Sequence, residues 1–306
     1  MRLRLKILAL GSALLLSTVA SVAQSFDFVS IDYPNAKSTI ANGINPGGDI
    51  VGTFIDPSGK QHAFLLSRGA FTAFDFPGAL ATNARGINAG GEIVGSYIAP
   101  PDGPNYVPGS PANIKGFLYS HGSFSTVLFP GHPGAIPQRI SPDGAIYGCY
   151  HDYDLMGSMF GFVRDRSGYT SINDAAGMLV PASMHNGATP NAKLVVGLYV
   201  DMASGRSRGY VLRDGMLDGF DAPGSVGTQA WDVNPSADIV GVFRDDINHK
   251  LHGFLRTSSD VYTQIDFPGA VATQAFGINP GGAIVGQYID SSGKTHGFLA
   301  VPTSSE

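Results

Sequence analysis

Acidic and basic side chains recur together at one end of a repeated hairpin, and such pairs are candidates for proton transfer. An aspartate follows most Ile-Val-Gly-x-Tyr stretches or their equivalents, at Asp56, Asp152, Asp201, Asp245 and Asp290. A basic residue lies on the other arm of most hairpins, at His62, Lys115, Arg208, His252 and His296. A carboxylate beside an imidazole is a general acid–base pair. One active site needs only one such pair, so the repetition favours structural ion pairs or hydrogen bonds at the hairpin ends.

The residues His151, Asp152 and Asp154 place imidazole and carboxylate ligands close together, so this loop is a candidate site for a divalent cation, for example calcium. No EF-hand or nonapeptide calcium motif surrounds them, and a solvated loop explains the same residues. No other cofactor is predicted. The single cysteine, Cys149, excludes a Cys-based zinc site and an internal disulfide framework.

The composition excludes several classes of protein. Of the 306 residues, 43% are hydrophobic and only 14% are charged, so the chain can form a packed core and is not disordered as a whole. Its formal net charge of -5, without a Lys/Arg cluster beyond the N-terminus, argues against nucleic-acid binding. The motif His-Glu-x-x-His and the P-loop are absent, and no catalytic residue is predicted.

The first 23 residues have the pattern of a secretory signal peptide. Three basic residues within the first six precede an apolar stretch from Ile7 to Val19, and the small residues Ser21 and Ala23 form a cleavage site. The apolar stretch is short for a membrane span, and no later segment approaches 18 apolar residues. We therefore predict a signal peptide at 1–23 and a single domain at 24–306, secreted to the periplasm or the medium.

Internal repetition dominates the rest of the chain. A glycine that closes an Ile-Val-Gly triplet or its equivalent recurs every 43 to 53 residues, at Gly52, Gly95, Gly148, Gly197, Gly241 and Gly286. Four short pieces rich in β-branched and aromatic residues surround each glycine in the same order, separated by turn-forming sequences. No stretch has a convincing amphipathic helical pattern. We predict an all-β fold, a six-bladed β-propeller with about 45 residues and four strands per blade.

The two ends of the domain match different pieces of the repeat, which predicts how the ring closes. The segment starting at Phe28 matches the strand that ends in Asp-Phe-Pro-Gly, whereas the chain finishes on the His-Gly-Phe strand, His296 to Val301. With the Gly-Ile-Asn strand innermost, the N-terminal strand completes the last blade and removes a free sheet edge. The glycine of the Ile-Val-Gly strand is explained by close approach of an adjacent sheet.

Positions that recur in every repeat are interpreted as geometric. The aspartates of the Asp-Phe-Pro-Gly turns and the asparagines of Gly-Ile-Asn are expected to bond their own backbone. They are Asp32, Asp75, Asp174, Asp221, Asp266, Asn45, Asn88, Asn234 and Asn279.

One variable position inside the fixed frame is the better candidate for function. The residue before the glycine of Gly-Ile-Asn, or its equivalent, differs from repeat to repeat: Asn42, Arg85, Gln138, Trp231 and Phe276. If the innermost strands line a central channel, these side chains form a ligand pocket with an aromatic wall and polar anchors. The alternative is that the aromatic rings fill space between blades. Two longer loops, 99–113 and 151–159, join equivalent strands and should emerge on one face.

The tripeptides His62-Ala63-Phe64, His252-Gly253-Phe254 and His296-Gly297-Phe298, with the Gly-Ile-Asn and Ile-Val-Gly pairs, resemble the HAF-repeat family of bacterial extracellular proteins. The likeness extends over nearly the whole domain. It implies secretion and tandem β-repeats, and it supplies no catalytic residues.

Three functions are compatible with these observations. The leading hypothesis is a secreted binding or interaction module for an extracellular glycan, small molecule or protein, expected to be a monomer. The second is an extracellular hydrolase or lyase that acts on a carbohydrate or lactone through channel residues such as Arg85 and Gln138. The third is a structural cell-surface repeat without a pocket. The absence of catalytic motifs favours binding over catalysis.

Overall fold

The computed structural model describes residues 24–101, 107–153, 159–180, 182–190 and 192–303. The segment 1–23 lies outside the described residues, so the signal peptide stays a prediction. The described part of the chain forms 24 strands in six four-stranded antiparallel sheets.

The first strand, β1 (Phe26–Ile31), is separated in sequence from its sheet. Three blades follow it along the chain. Blade 1 contains β2 (Ser38–Ile44), β3 (Ile50–Ile55), β4 (Gln61–Ser67) and β5 (Ala70–Phe74). Blade 2 contains β6 (Ala81–Ile87), β7 (Ile93–Ile98), β8 (Ile114–Ser120) and β9 (Ser123–Val127). Blade 3 contains β10 (Gly134–Ile140), β11 (Ile146–His151), β12 (Phe160–Asp165) and β13 (Gly168–Ser171).

The second half repeats the arrangement. Blade 4 contains β14 (Met184–Ala188), β15 (Val195–Asp201), β16 (Arg206–Arg213) and β17 (Met216–Phe220). Blade 5 contains β18 (Ser225–Val233), β19 (Ile239–Asp245), β20 (Leu251–Arg256) and β21 (Tyr262–Ile265). Blade 6 contains β22 (Ala272–Ile278), β23 (Ile284–Ile289), β24 (Thr295–Pro302) and β1.

The ring closes as predicted, because β1 is the outer strand of blade 6. The sheet order is β1-β24-β23-β22, and β1 pairs with β24 from Phe26 opposite Pro302 to Ile31 opposite Gly297. The Phe28 ring packs against Phe267 and Phe298 at centroid distances of 5.7 and 5.9 Å. The six-bladed β-propeller with four strands per blade is therefore confirmed.

The glycine in the second strand lies against a backbone carbonyl oxygen of the first strand in every blade, and in five blades also against an aromatic ring of the third strand. A Cβ on Gly52 would lie 2.7 Å from ring atoms of Phe64, and a Cβ on Gly241 would lie equally close to Phe254. The prediction that an adjacent sheet imposes this glycine is wrong, since the ring comes from the neighbouring strand. Opposite the glycine on the innermost strand stands an alanine in four blades, for example Ala41.

Blade 4 replaces this alanine and phenylalanine together. His185 and Tyr210 flank Gly197 in the same register, and His185 Nδ1 lies 2.5 Å from the Tyr210 hydroxyl. The hydroxyl also donates to the carbonyl oxygen of Met184 at 3.1 Å. Burial lowers the pKa of His185 to about 3 and raises that of Tyr210. The larger polar pair is therefore satisfied inside the blade.

Aromatic stacking joins most neighbouring blades. The aromatic residue before the proline of the outer-strand turn stacks on an aromatic residue of the next blade's second strand, at centroid distances of 3.6 to 4.1 Å. The pairs are Tyr33–Phe54, Phe76–Tyr97, Phe129–Tyr150 and Phe267–Tyr288. These four junctions thus share one contact, and the two that flank blade 4 lack it among the described residues.

A short helix departs from the predicted all-β pattern. The segment aligned with the outer-strand turn of the fourth repeat forms α1 (Ile172–Ala176) instead. Ser171 caps its start by accepting from the amide of Asn173, and Gly177 ends it in the left-handed conformation with φ of 62°. Pro111–Asn113 forms a single 3₁₀ turn. No helix in the described residues is long and apolar enough to cross a membrane.

Candidate functional site

The five predicted channel residues converge around one cavity on the propeller axis. The cavity is lined by the five predicted residues, each from the innermost strand of a different blade, and by one residue that the sequence did not predict, Arg139. The full lining is Asn42, Arg85, Gln138, Arg139, Trp231 and Phe276. The indole of Trp231 and the ring of Phe276 meet edge to face at a centroid distance of 5.1 Å. The frame of the repeat therefore located the central side chains correctly.

Arg139 fills the middle of the channel. Its Nη1 donates to the carbonyl oxygens of Arg85 and Gln138 at 2.9 and 2.7 Å. Its Nη2 donates to the carbonyl oxygens of Asn42, at 3.1 Å, and Phe276. Its Nε lies 3.0 Å from Oδ2 of Asp232. One guanidinium thus donates from Nη1 and Nη2 to the innermost strands of blades 1, 2, 3 and 6, and its Nε faces the innermost strand of blade 5.

Arg139 and Asp232 occupy the position that is glycine in the other four blades. Those glycines are Gly43, Gly86, Gly187 and Gly277. A Cβ on Gly43 would lie 2.6 Å from the Arg85 carbonyl oxygen, so the centre has little room for further side chains. Burial raises the pKa of Asp232, whereas Arg139 acts in the opposite direction.

Arg85 is the second guanidinium of the channel, and no carboxylate in the described residues pairs with it. Its Nη1 donates to Oε1 of Gln138 at 3.2 Å. The Asn83 amide, turned so that both of its groups are satisfied, accepts from Nη2 at 3.2 Å. The Nε atom is enclosed without a partner, as is Nε1 of Trp231. Burial lowers the pKa of Arg85 to about 10, which still leaves it cationic at neutral pH.

The channel cavity is too small for a sugar. It holds about 40 Å³, against about 300–1,000 Å³ for typical small-molecule pockets. Its described lining includes no carboxylate, and Asp232 beneath it is bound to Arg139. The two carboxylates that a glycoside hydrolase requires do not meet here. The channel geometry therefore gives no support to the hydrolase hypothesis.

The fourth repeat contributes its equivalent residue, Asn186, to the blade interface and not to the cavity. The side chain is fully buried, and its Nδ2 donates to the Ala230 carbonyl oxygen at 2.7 Å. The cavity is thus lined by five blades, and its described lining contains no residue of blade 4.

The repeated acid–base pairs form hairpin-end clusters in three consecutive blades, 5, 6 and 1. The imidazole Nε2 of His62 lies 3.4 Å from Asp56, and its Nδ1 lies 2.7 Å from Asp75. Equivalent Asp–His–Asp clusters are Asp245–His252–Asp266 and Asp290–His296–Asp32. Each imidazole also stacks on an aromatic ring of its own blade. Their recurrence agrees with the structural interpretation.

The other two basic residues, Lys115 and Arg208, do not form an Asp–His–Asp cluster. Lys115 donates to the Pro133 carbonyl oxygen at 3.4 Å, and Arg208 pairs with Asp221 at 3.0 Å. The prediction that aspartates of the Asp-Phe-Pro-Gly turns bond their own backbone is wrong. These aspartates pair with the basic side chains of the third strands: Asp75 with His62, Asp266 with His252, Asp32 with His296 and Asp221 with Arg208. Asp174 lies in α1.

The asparagine turns behave as predicted. The Asn45 Oδ1 accepts from the amide of Asp49 at 2.9 Å, and Asn88, Asn234 and Asn279 make the same bond. Ser141 replaces the asparagine in blade 3 and accepts from the Ala145 amide.

The candidate metal loop does not form a ligand cluster among the described residues. His151 is fully buried, its Nδ1 lies 3.2 Å from the carbonyl oxygen of Asp152, and burial lowers its pKa. The Asp152 carboxylate lies 2.9 Å from Nδ1 of His132. Asp154 lies outside the described residues. His151 and Asp152 therefore face different partners, which gives the calcium prediction no support.

A groove between blades 4 and 5 was missed by the sequence reasoning. At this junction Ala222 takes the place of the ring that stacks on the next blade elsewhere, and no ring of blade 4 covers Phe243 in the described structure. A space near this junction is called the arginine groove below. It holds about 360 Å³ and is lined by Gly205, Arg206, Ser207, Val226, Gly227, Gln229, Val242, Phe243, Arg244, Leu251 and Gln274.

The arginine groove is lined by two arginines and by apolar side chains that include Val242, Phe243 and Leu251. Arg206 and Arg244 are exposed, and its described lining includes no carboxylate. Arg244 Nη1 donates to the carbonyl oxygen of His249 at 2.8 Å, whereas the Arg206 guanidinium has no protein partner among the described residues. An adjoining space of about 340 Å³ shares Arg206 and contains the Arg208–Asp221 pair. Guanidinium groups so placed suit a carboxylate, sulfate or phosphate.

A wider depression of about 680 Å³ lies at the same junction on the opposite face, lined by Thr189, Pro190, Lys193, Leu194, Arg213, Asp214, Pro235 and Ala237. Its charges are mixed, since Asp214 stands beside Lys193 and Arg213. The arginine groove therefore offers the more specific chemistry.

No family model and no curated protein matches the chain. Solved structures do resemble it. A gluconolactonase from Xanthomonas campestris has a TM-score of 0.51 at 13% identity, over 92% of this chain and 97% of that one. A mutant Aleuria aurantia lectin in complex with Fucα1-6GlcNAc has a TM-score of 0.51 at 15% identity, over 88% and 97%. TolB from Acinetobacter baumannii has a TM-score of 0.52 at 12% identity, over 87% of this chain and 64% of that one.

At these identities the likeness establishes the fold alone. The protein is a six-bladed β-propeller, a class that includes a lactonase and a lectin among its solved structures. Membership of the HAF-repeat family stays a prediction.

Proposed function

We propose that the protein is a secreted propeller that binds an anionic extracellular ligand, an acidic saccharide, in the arginine groove. The observation that carries this proposal is that two exposed arginines, Arg206 and Arg244, line one groove with no carboxylate in its described lining. The chain as a whole has a net charge of -5, so this local excess of positive charge runs against the average. Secretion rests on the predicted signal peptide.

The groove has the dimensions and the groups that a sugar site needs. Its volume of about 360 Å³ lies within the range of small-molecule pockets. Phe243 and Leu251 offer apolar surface for a ring face, and the amides of Gln229 and Gln274 offer donors and acceptors for hydroxyl groups. The two guanidinium groups bind the acidic substituent.

Calorimetric titration of the secreted protein tests the proposal with three oligosaccharides of equal length, one uronic, one sulfated and one neutral. We expect binding of an acidic oligosaccharide, none of the neutral one, and weakening with salt. Arg206→Gln and Arg244→Gln should each weaken binding by about 10–100-fold, since each removes a charge-assisted hydrogen bond. Arg213→Gln, an exposed arginine at the opposite end of β16, is the matched control and should bind as the unmodified protein does.

Equal loss in all three variants would indicate a general charge effect and overturn the assignment to this groove. Binding of the neutral oligosaccharide with the same affinity would overturn the anionic specificity. A protein that binds none of the three would favour the structural surface repeat, with which the filled channel also agrees.

A further inference from the structure

We propose that the channel cavity is a binding site for a small monovalent inorganic anion of the size of chloride or bromide. This site is separate from the arginine groove, and the proposal stands independently of the function proposed for that groove. It rests on the charge, the volume and the unpartnered donors at the propeller axis.

The charges at the axis do not balance. Arg85 and Arg139 both line the cavity, and Asp232 is bound to Arg139 at 3.0 Å. Arg85 has only neutral partners, the side-chain amides of Gln138 and Asn83. A charge removed from water is costly unless an opposite charge compensates it. An anion beside Arg85 would supply that compensation.

The donors that would hold the anion are present and unused. Arg85 Nε and Trp231 Nε1 are both enclosed without a hydrogen-bond partner, although both residues line the same cavity. Buried N–H groups of this kind are normally paired. Arg139, in contrast, donates from Nη1 and Nη2 to four carbonyl oxygens and faces the Asp232 carboxylate with Nε at 3.0 Å, so it contributes charge and a wall.

The volume of the channel cavity limits the size of the ligand. A buried water needs a space of at least about 10–15 Å³ by a comparable measure, and this cavity offers about 40 Å³. That space accepts a monatomic anion and excludes a sugar ring. The edge-to-face rings of Trp231 and Phe276 present an apolar wall that lowers the local dielectric and strengthens the attraction between the anion and Arg85.

The chain provides its own reporter, because Trp231 is the single tryptophan. Sodium bromide is titrated into the full secreted protein while sodium gluconate holds the ionic strength constant. We expect a saturable change in Trp231 fluorescence, and an unfolding temperature that rises with bromide and levels off. Sodium chloride should raise the unfolding temperature in the same way.

Arg85→Met removes the charge and keeps an aliphatic side chain, so it should abolish both halide responses. Arg213→Met is the control with the same change of charge at an exposed site and should retain both. A linear, unsaturated response of the unmodified protein, or an equal saturable response in Arg85→Met, would overturn the proposal.

Crystals of the unmodified protein soaked in sodium bromide provide a second measurement that does not depend on the variant folding. The expected result is an anomalous peak between Arg85 and Trp231. A channel without such a peak in soaked crystals that bind bromide elsewhere would also overturn the proposal.

Discussion

Arg139 and Asp232 stand at the same position of their repeats, two blades apart, and Nε of the arginine lies 3.0 Å from Oδ2 of the aspartate. Both side chains are nearly buried, with exposed fractions of 11% and 10%. The four other repeats have glycine at this position. Two departures from glycine with opposite charge therefore join blades that are not neighbours in the ring.

Arg139→Ala should be strongly destabilising. It would leave Asp232 as an unpaired buried carboxylate and would remove donors from four backbone carbonyl oxygens. Breaking one side of a buried ion pair costs about 3–5 kcal/mol. Urea denaturation measures this loss.

The paired replacement provides the control. Arg139→Gly with Asp232→Gly restores the residue of the other blades at both positions and leaves no unpaired charge. We expect the double variant to be more stable than either single variant, with a coupling energy of about 1–3 kcal/mol in the double-mutant cycle. Additive effects of the two substitutions would contradict the direct interaction.

We predict that the protein loses stability in acid because of the buried His185 in blade 4. Its pKa is about 3 in the folded protein and about 6.5 in the unfolded chain, so below pH 6.5 the unfolded state binds the extra proton. The contribution of His185 to stability is complete above pH 6.5 and is lost as the pH falls toward 3. The free energy of unfolding should fall by up to about 1.4 kcal/mol per pH unit from this residue.

The other blades supply the matching variant. His185→Ala with Tyr210→Phe recreates the alanine and phenylalanine that flank the glycine in four blades. Urea denaturation at pH 4, 5 and 7 should show a smaller loss on acidification in this double variant. An unchanged pH dependence would show that another group titrates.

The repeat itself explains how much could be predicted. Strand order, ring closure and the convergence of Arg85 and Trp231 followed from aligning the copies, because the turn sequences that punctuate each copy are local. Arg139 was not predicted, because the repeat position chosen as variable is the one before it, which is Gln138 in blade 3. A signal was available, since Arg139 and Asp232 are oppositely charged exceptions to a glycine position.

Other features depend on contacts that local sequence does not specify. The pairing of Asp75 with His62 joins residues 13 positions apart on neighbouring elements, so the turn itself gave no hint of it. The missing stack at Ala222 is visible only once the stacking at the other junctions is known. The helix α1 was not predicted, because its segment aligns with the strand and turn of the other repeats. The helix-capping residues Ser171 and Gly177 were the signal for it.

Ala222→Phe should complete the missing stack. The ring would lie over Phe243 as Phe76 lies over Tyr97, where the centroids are 3.7 Å apart. An aromatic pair contributes about 0.5–1.5 kcal/mol beyond its buried area, so the unfolding temperature should rise. A lower unfolding temperature would show that the junction is shaped by other contacts.

Removal of β1 tests the closure of the ring. A secreted chain that begins after Ile31 would expose β24 as a free edge and would lose the packing of Phe28 against Phe267 and Phe298. Free edges pair with other chains, so we expect concentration-dependent association and a lower unfolding temperature. Analytical ultracentrifugation and thermal unfolding measure both effects. A synthetic peptide covering residues 24–33 should restore the monomer, whereas a peptide with Phe28→Ala should do so less well. A truncated chain that stays monomeric and equally stable would contradict the role of β1 as the closing strand.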